Sequence, residues 1–418
     1  MSPVGAPPAR SVTLILVTPD GDVLGRLPPF DAATPWWQDA EPVVLGARET
    51  FGLDVTVLRL LEADLPSAHG GAVTYLAEVD STRLGRRHAG VPLEPWTGDL
   101  PDHPMRPGYA RPGGPSADLA WADAALAERG LARTGPAEQV RTWNLSSLWR
   151  LPTTAGRAWL KVVPFFFAHE GDVLARLAGE HVPVLLGHDG ARILLAEIPG
   201  EDRYGAPLPE LLTMIALLVD LQRRWLGRAD ELLSVGLPDW RGPALTASIA
   251  HLVERAGRTV EVRDRTALDR FVRGLPARMA AIDACGIGDG LVHGDFHPGN
   301  VRGDADALVI LDWGDTGVGH PLLDQPRFLS DAGTADPAIL RQHWHSAWRR
   351  AIPGSDPDRA TTLLAPVAAA RLALTYRRFL DGIEPSEHRY HQADVPHWLR
   401  RTAELLREPR HPAERGGG

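Results

Sequence analysis

Four side chains in this sequence have the types and spacing to move a phosphoryl group onto a hydroxyl. The stretch Leu291-Val292-His293-Gly294-Asp295-Phe296-His297-Pro298-Gly299-Asn300-Val301 places Asp295 five residues before Asn300, and Leu311-Asp312-Trp313 follows downstream. Such a transfer asks little of a protein. One carboxylate orients the hydroxyl and accepts its proton, and a second holds the metal that bridges the phosphates. An amide oxygen completes the metal shell, and a cation steadies the phosphates. Asp295, Asp312, Asn300 and Lys161 supply that set in chain order. Asn plus Asp also satisfies magnesium with hard oxygen ligands without stranding negative charge around the phosphates.

Lys161 stands out by composition. Of 44 basic residues it is the only lysine. Arginine is a planar fork and lysine a compact point charge on a thin stem, so a narrow phosphate site can demand lysine where the rest of the chain has drifted to arginine. The bland alternative is chance survival of one surface lysine.

The elements that must position these residues can be read from periodicity and turn chemistry. Strands are expected at Ser11–Val17, Val23–Leu27, Val55–Leu61 and Ala72–Val79, with a helix at Pro42–Phe51 stopped by Gly52. From Val91 to Pro115 seven prolines preclude regular structure, so that stretch reads as a linker or an extended strap over a surface. A short helix, Ala117–Arg129, follows. Arg141–Leu151 and Arg157–Val163 then form a hairpin, His169–Leu177 a helix and Arg192–Ile198 a strand. Long amphipathic helices dominate afterwards: Pro209–Trp225, Leu245–Arg255, Ala267–Ile282, Ala338–Arg350, Arg359–Phe379 and His388–Arg407. A strand at Ala307–Leu311 delivers Asp312 at its end. Strands first and helices afterwards predict a two-lobed α+β domain. The expected division is a small α/β module over 1–90, a Pro-rich linker and helix over 91–135, and a catalytic domain over 136–408 with its site between lobes 136–200 and 201–408.

Net charge of -9 argues against nucleic acid as a partner, since counterion release needs a basic face. No apolar run approaches the ~20 residues of a membrane helix. A single cysteine, Cys285, permits no internal disulfide and fits a reducing compartment, so a cytoplasmic protein is expected.

The loop His293, Asp295, Asn300 together with Leu311-Asp312-Trp313 and Gly319-His320-Pro321-Leu322-Leu323-Asp324 resembles the aminoglycoside-phosphotransferase and choline-kinase group of small-molecule kinases. The resemblance implies a protein-kinase-like fold that uses ATP or GTP with Mg2+ on a small-molecule hydroxyl. It implies Asp295 as catalytic base, Asn300 and Asp312 as metal ligands, and Lys161 on the phosphates. Glu170 becomes the partner of Lys161, and Glu197 with Ile198 the hinge that meets adenine. Asp324 fixes loop geometry, and His293 is structural. The phosphate-covering loop, Arg141–Leu148, lacks a glycine signature. Its backbone N–H groups and the hydroxyls of Ser146 and Ser147 are the expected cradle.

Two rival functions draw on the same residues. A metal-dependent phosphohydrolase built on His293, Asp295, His297, Asp312 and His320 lacks an upstream Asp-x-His and a downstream Asn-His, and it leaves Lys161 and Asn300 unexplained. A pseudokinase that only binds nucleotide is disfavoured because every catalytic position is filled. Near the C-terminus, Asp381, Glu384, Glu387 and Asp394 are either a receptor for a cationic substrate or solvated charges, and Tyr376, Trp344, Trp348 and Trp398 read as core. The N-terminal strands around the Arg48-Glu49 helix faintly resemble a Nudix domain. Gly52, Leu53 and Ala40 stand where its metal carboxylates would be, which leaves a degenerate module or an unrelated appendage.

Overall fold

The computed structural model describes residues 9–66, 68–79, 93–256, 260–304 and 307–408. Asp80, Val91, Pro92 and Pro409, which bound the regions read from sequence, lie outside the described residues. The chain divides into two compact units. The first comprises 1–175, 184–197 and 379–392, and the second 176–183, 198–378 and 393–418.

The first unit holds two sheets. Strands β1 (Arg10–Val17), β2 (Val23–Arg26), β3 (Phe30–Ala32), β4 (Thr56–Ala63) and β5 (Gly71–Glu78) form one, in order β2-β1-β5-β4 with β3 also on β1. The β1–β5 pair is parallel, and its neighbours are antiparallel. Strand alternation sends Val12, Leu14 and Leu16 to one face, where helix α1 (Glu41–Phe51) covers them with Val43 and Ala47. Gly52 ends that helix in the left-handed conformation, as expected. Ile15 and Val17 point the other way, join Leu58 and Leu76, and are covered by Trp96 and Leu100. The proline-rich stretch is therefore a strap. It is tied to β2 by reciprocal Arg26–Glu94 backbone hydrogen bonds and leads into helix α2 (Gly114–Glu128).

The second sheet is fully antiparallel: β6 (Glu138–Trp143), β7 (Ser146–Thr153), β8 (Gly156–Val162), β9 (Leu185–Asp189) and β10 (Arg192–Ala196), in order β6-β7-β8-β10-β9. The stretch expected as one strand, Arg141–Leu151, is two strands around a turn at Asn144 and Leu145. Neither turn residue has positive φ, so the turn needs no glycine. Helix α3 (Glu170–Arg176) follows β8. The two sheets are joined by Gln139, whose buried amide exchanges hydrogen bonds of 2.9 and 2.7 Å with the backbone of Val57.

A correction concerns the C-terminal helix. Instead of one helix from His388, residues Pro385–Tyr390 form a 3-10 segment in the first unit, and the helix runs Asp394–Arg407. Tyr390 joins the α1-side core beside Trp37 and Trp143. Glu387 accepts from Leu60 N at 2.9 Å, and Glu384 takes two hydrogen bonds from Arg106. These two acids are thus buried partners within the unit.

Burial pushes the Glu387 carboxyl from its ordinary 4.5 up to about 8. A raised folded-state pKa contributes stability in full below the unfolded value and loses it as pH rises through the folded one. Glu387→Gln keeps an acceptor for Leu60 N and cannot ionise. In thermal melts it should match the parent near about pH 5 and exceed it by several degrees near about pH 8. Parallel melting profiles would refute this.

The second unit is mostly helical: α4 (Leu208–Arg224), α5 (Ala229–Leu233), α6 (Gly242–Ala256), α7 (Val262–Asp283), α8 (Gln325–Asp331), α9 (Pro337–Ala351), α10 (Pro357–Gly382, whose last turn belongs to the first unit) and α11 (Asp394–Arg407). α4 packs on α9, and α7 packs on both α6 and α11. Short strands carry the functional loops: β11 (Glu201–Asp202), β13 (Val301–Gly303) and β14 (Val309–Ile310) in one sheet, β12 (Gly290–Val292) and β15 (Gly317–Gly319) in another. Trp344 and Trp348 are fully buried, and Phe296 stacks on Phe328 at 5.0 Å, so the loop after β12 is anchored in the core. The α+β class read from sequence holds. Among the described residues no helix is long and apolar enough to cross a membrane.

Candidate active site

In the second unit β12 ends at Val292 and the chain turns sharply at Gly294, whose φ is +91°. A Cβ there would collide with the Asp315 carbonyl, so only glycine fits. Asp324 clamps this turn. It accepts from His293 N at 2.8 Å, Gly294 N at 2.7 Å and Gln222 Nε2 at 2.8 Å. His293 is fully buried, and burial lowers its pKa, which keeps the ring neutral. Its Nδ1 accepts from Asp295 N at 3.3 Å, so Nε2 carries the proton and donates to Leu311 O at 2.8 Å. One ring therefore ties the Asp295 backbone to the segment that presents Asp312. This is the structural role expected of it, as is the loop-fixing role of Asp324.

Asp295 lies at the centre of a polar network. Arg327 Nε donates to Oδ1 at 3.0 Å, while Oδ2 has longer contacts: Asn300 Nδ2 at 3.4 Å and His297 Nε2 at 3.5 Å. Burial opposes ionisation of this carboxyl. The hydrogen bond from His297 and the Arg327 guanidinium outweigh it and hold the group well below the usual carboxylate range. His297 is fixed by Gly299 N, which donates to Nδ1 at 3.1 Å, and by the Tyr204 ring at 5.6 Å.

Asn300 spends its amide NH2 on Asp295, donating to the backbone O at 3.0 Å as well. That orients its Oδ1 away from Asp295 as an available hard acceptor. Asp312 adopts φ 61° and ψ 68°, the only positive φ outside glycine among the described residues. Strain of this kind, of order 1–3 kcal/mol, persists where the surroundings enforce it, and it clusters at functional positions. Asp315 adds a third carboxylate. Burial, then the charges of Asp295 and Asp312, push it up to about 8 against the opposing Arg371 and Arg378. Among the described residues no three His, Cys, Asp or Glu side chains form a ready-made metal cluster. An Asn–Asp pair that leaves the remaining coordination to phosphate and water is what magnesium accepts.

Two residues of this network were not singled out in the sequence. Arg327 binds Asp295 and Asp331, and Arg371, 2% exposed, donates to Gly294 O at 2.7 Å and lies over Trp240. Tyr376, read as core, is only half-buried and feels the charges of Asp295 and Arg327.

In the first unit Lys161 lies on β8, flanked in register by Leu148 of β7 and Ile193 of β10. Its Nζ is 2.7 Å from Glu170 Oε1, at the start of α3. Ser146 and Ser147 accept from the indoles of Trp143 and Trp149, and Ser147 is buried at 1% exposure, so its hydroxyl is spent on the strand. Asn144, in the turn between β6 and β7, is pinned by His391 and the Glu387 carbonyl. Glu197 N donates to Arg157 O, its carboxylate takes the Trp159 indole N–H, and Ile198 O accepts from Arg302.

Among solved structures, macrolide 2'-phosphotransferase MphH from Brachybacterium faecium is similar over 70% of this chain and 100% of its own, with 18% identity and a TM-score of 0.47. A choline/ethanolamine kinase family protein from Mesorhizobium loti covers 70% and 96% at 16% identity, with a TM-score of 0.49. No curated protein matches the chain. The sequence profile of the phosphotransferase enzyme family matches residues 137–363, more than half of the 418. That span includes Lys161, Asp295, Asn300 and Asp312, and the chain is accordingly a member of the phosphotransferase enzyme family, an enzyme that moves phosphoryl groups onto small molecules.

Proposed function

We propose that this enzyme transfers the γ-phosphoryl group of ATP, or of GTP, to a hydroxyl of a small molecule. The observation that carries the reading is the fixed relation of Asp295, Asn300 and the strained Asp312, held by Asp324 and His293. Asp295 receives the acceptor hydroxyl on Oδ2, the oxygen with the longer contacts, while Arg327 holds Oδ1. Its depressed pKa suits orientation more than early deprotonation. In a loose transition state the proton leaves the hydroxyl late, so a strong base is not needed. Asn300 Oδ1 and the Asp312 carboxylate are the magnesium ligands, and that ion, when bound, neutralises charge on the phosphate oxygens. Lys161, steadied by Glu170, contacts the phosphates. Backbone groups of the 143–146 turn support them in preference to the Ser147 hydroxyl. Glu197 O and Ile198 N–H make no hydrogen bond among the described residues, and these two groups are assigned to the adenine edge.

On this reading residues 136–408 are the catalytic domain, 91–135 the strap and helix before it, and 1–90 an added module of Nudix-like or unrelated ancestry. A small hydroxyl compound is the partner, and the compartment is the cytoplasm.

Thermal unfolding with magnesium and ATP or GTP, against the same nucleotide with EDTA, tests the proposal. At ~100 times Kd the ligand adds about 2.7 kcal/mol, a shift of several degrees. Asp312→Asn is the control, because alanine at a left-handed position adds strain of about 1–2 kcal/mol that asparagine avoids. The magnesium-dependent part of the shift should shrink in the variant. An equal shift in parent and variant, or no shift with either nucleotide, counts against the assignment.

A further inference from the structure

The first unit contains a cavity of about 470 Å³ between the strap and the β1–β5–β4 face, and neither Lys161 nor Glu170 lines it. Alternation along the strands splits its floor in two. Glu62, Thr74 and Thr13 lie side by side on β4, β5 and β1, with neighbouring backbones about 5 Å apart. Two residues further along β1, Ile15 joins Leu61, Leu100 and Trp96 in an apolar end. The strap is fixed over this floor. Arg26 and Glu94 pin one part of it by backbone and side chain, and Arg106 ties another to Glu384. Gly98 leaves the Trp96 indole its place, since a Cβ there would overlap the ring.

Charge at the cavity favours a cation. Four carboxylates and three guanidiniums line it. Every guanidinium is matched: Arg26 by Glu94, Arg59 by Glu384, and Arg106 by Glu384 and Asp102. Glu62 and Asp99 have no cationic partner among the described residues. Glu62 is exposed, and Thr74 and Thr13 beside it are half-buried. Their two hydroxyls face the cavity and bond no described residue, not even the neighbouring Glu62. A carboxylate and two hydroxyls in one row can accept all the hydrogen bonds of an ammonium. Trp96 with Leu61 offers an aromatic body an apolar wall at the other end. That combination, and not negative charge alone, selects the ligand. A volume in this range suits a small organic molecule.

We infer that this cavity binds a small primary amine with an aromatic body, its ammonium held by Glu62 and the Thr74 hydroxyl and its ring against Trp96 and Leu61. The site shares no residue with the phosphotransfer machinery.

Calorimetric titration of the full chain, without nucleotide, with phenethylamine, 2-phenylethanol and 3-phenylpropionate tests the inference. Phenethylamine should bind saturably, and the neutral and anionic analogues ~10-fold or more weakly. Glu62→Gln and Thr74→Val remove groups that bond nothing in the protein. Each should weaken phenethylamine while leaving the melting temperature unchanged. Asp295→Asn should bind it as the parent does. No saturable binding of phenethylamine overturns the inference, and so does binding of either analogue as tight as that of the amine. Loss of binding in Asp295→Asn while Glu62→Gln binds normally would move the amine to the phosphotransfer site and equally overturn it.

Discussion

Asp295→Ala should reduce phosphoryl transfer by roughly 10²–10⁴-fold, the range expected for loss of a positioned acid–base group, while leaving magnesium-nucleotide binding within a few-fold of the parent. Three features of the site separate the two effects. The carboxylate sits on a loop whose shape is set by Asp324, His293 and Gly294, so removing its side chain does not remove the loop's anchors. The Asn300 side chain keeps its hydrogen bond to the Asp295 backbone oxygen at 3.0 Å, which survives the substitution. Arg327 loses one carboxylate but retains Asp331 at 3.2 Å. Nucleotide affinity and turnover, measured on the same preparation, decide the case. Joint loss of both would mean that Asp295 serves the metal or the loop, and the roles of Asp295 and Asp312 would have to be exchanged. Retained turnover would remove the hydroxyl-orienting role altogether.

What the sequence disclosed here follows from how much chemistry constrains residue type. The pairing of Asp295 with Asn300 was legible because one short loop carries both and the amide reaches back to the carboxylate residue. Asp324 was legible through its Gly–Pro–Asp setting. Arg327 was not. It lies 32 residues from Asp295, and in a chain rich in arginine nothing marks this one as the partner of Asp295. The left-handed Asp312 was invisible, because Asp before Trp carries no turn signal. Only the end of the 3-10 segment at Pro385–Tyr390, from His388 on, was absorbed into a predicted helix, whose period continues through Leu399 and Ala403. Tertiary contacts claim the segment otherwise: Glu384 and Glu387 go to Arg106 and Leu60, and Tyr390 to Trp37. The turn at Asn144 likewise takes its support from far along the chain, since Asn144 is held by His391.

Lys161→Arg should lower kcat/KM by about 10²-fold, close to 2.7 kcal/mol of lost transition-state stabilisation, although formal charge is unchanged. β8 is an interior strand, paired on one side with β7 and on the other with β10, so the backbone at Lys161 has little freedom to accommodate a larger head group. Glu170 is 2% exposed and meets Nζ at 2.7 Å, the single-point contact that a compact ammonium makes. A guanidinium in that place would engage the buried carboxylate as a two-pronged pair, its preferred geometry, and turn its charge toward α3 and away from the nucleotide. The chain supplies its own control: with 44 basic residues and one lysine, 43 are arginine, so the substitution tests whether this position resists a replacement accepted everywhere else. Steady-state kinetics with circular dichroism to confirm folding reads the result. Full activity in the folded variant would reduce Lys161 to a generic cation and remove the argument from its being the lone lysine. A loss confined to KM would keep it on the nucleotide but outside the transition state.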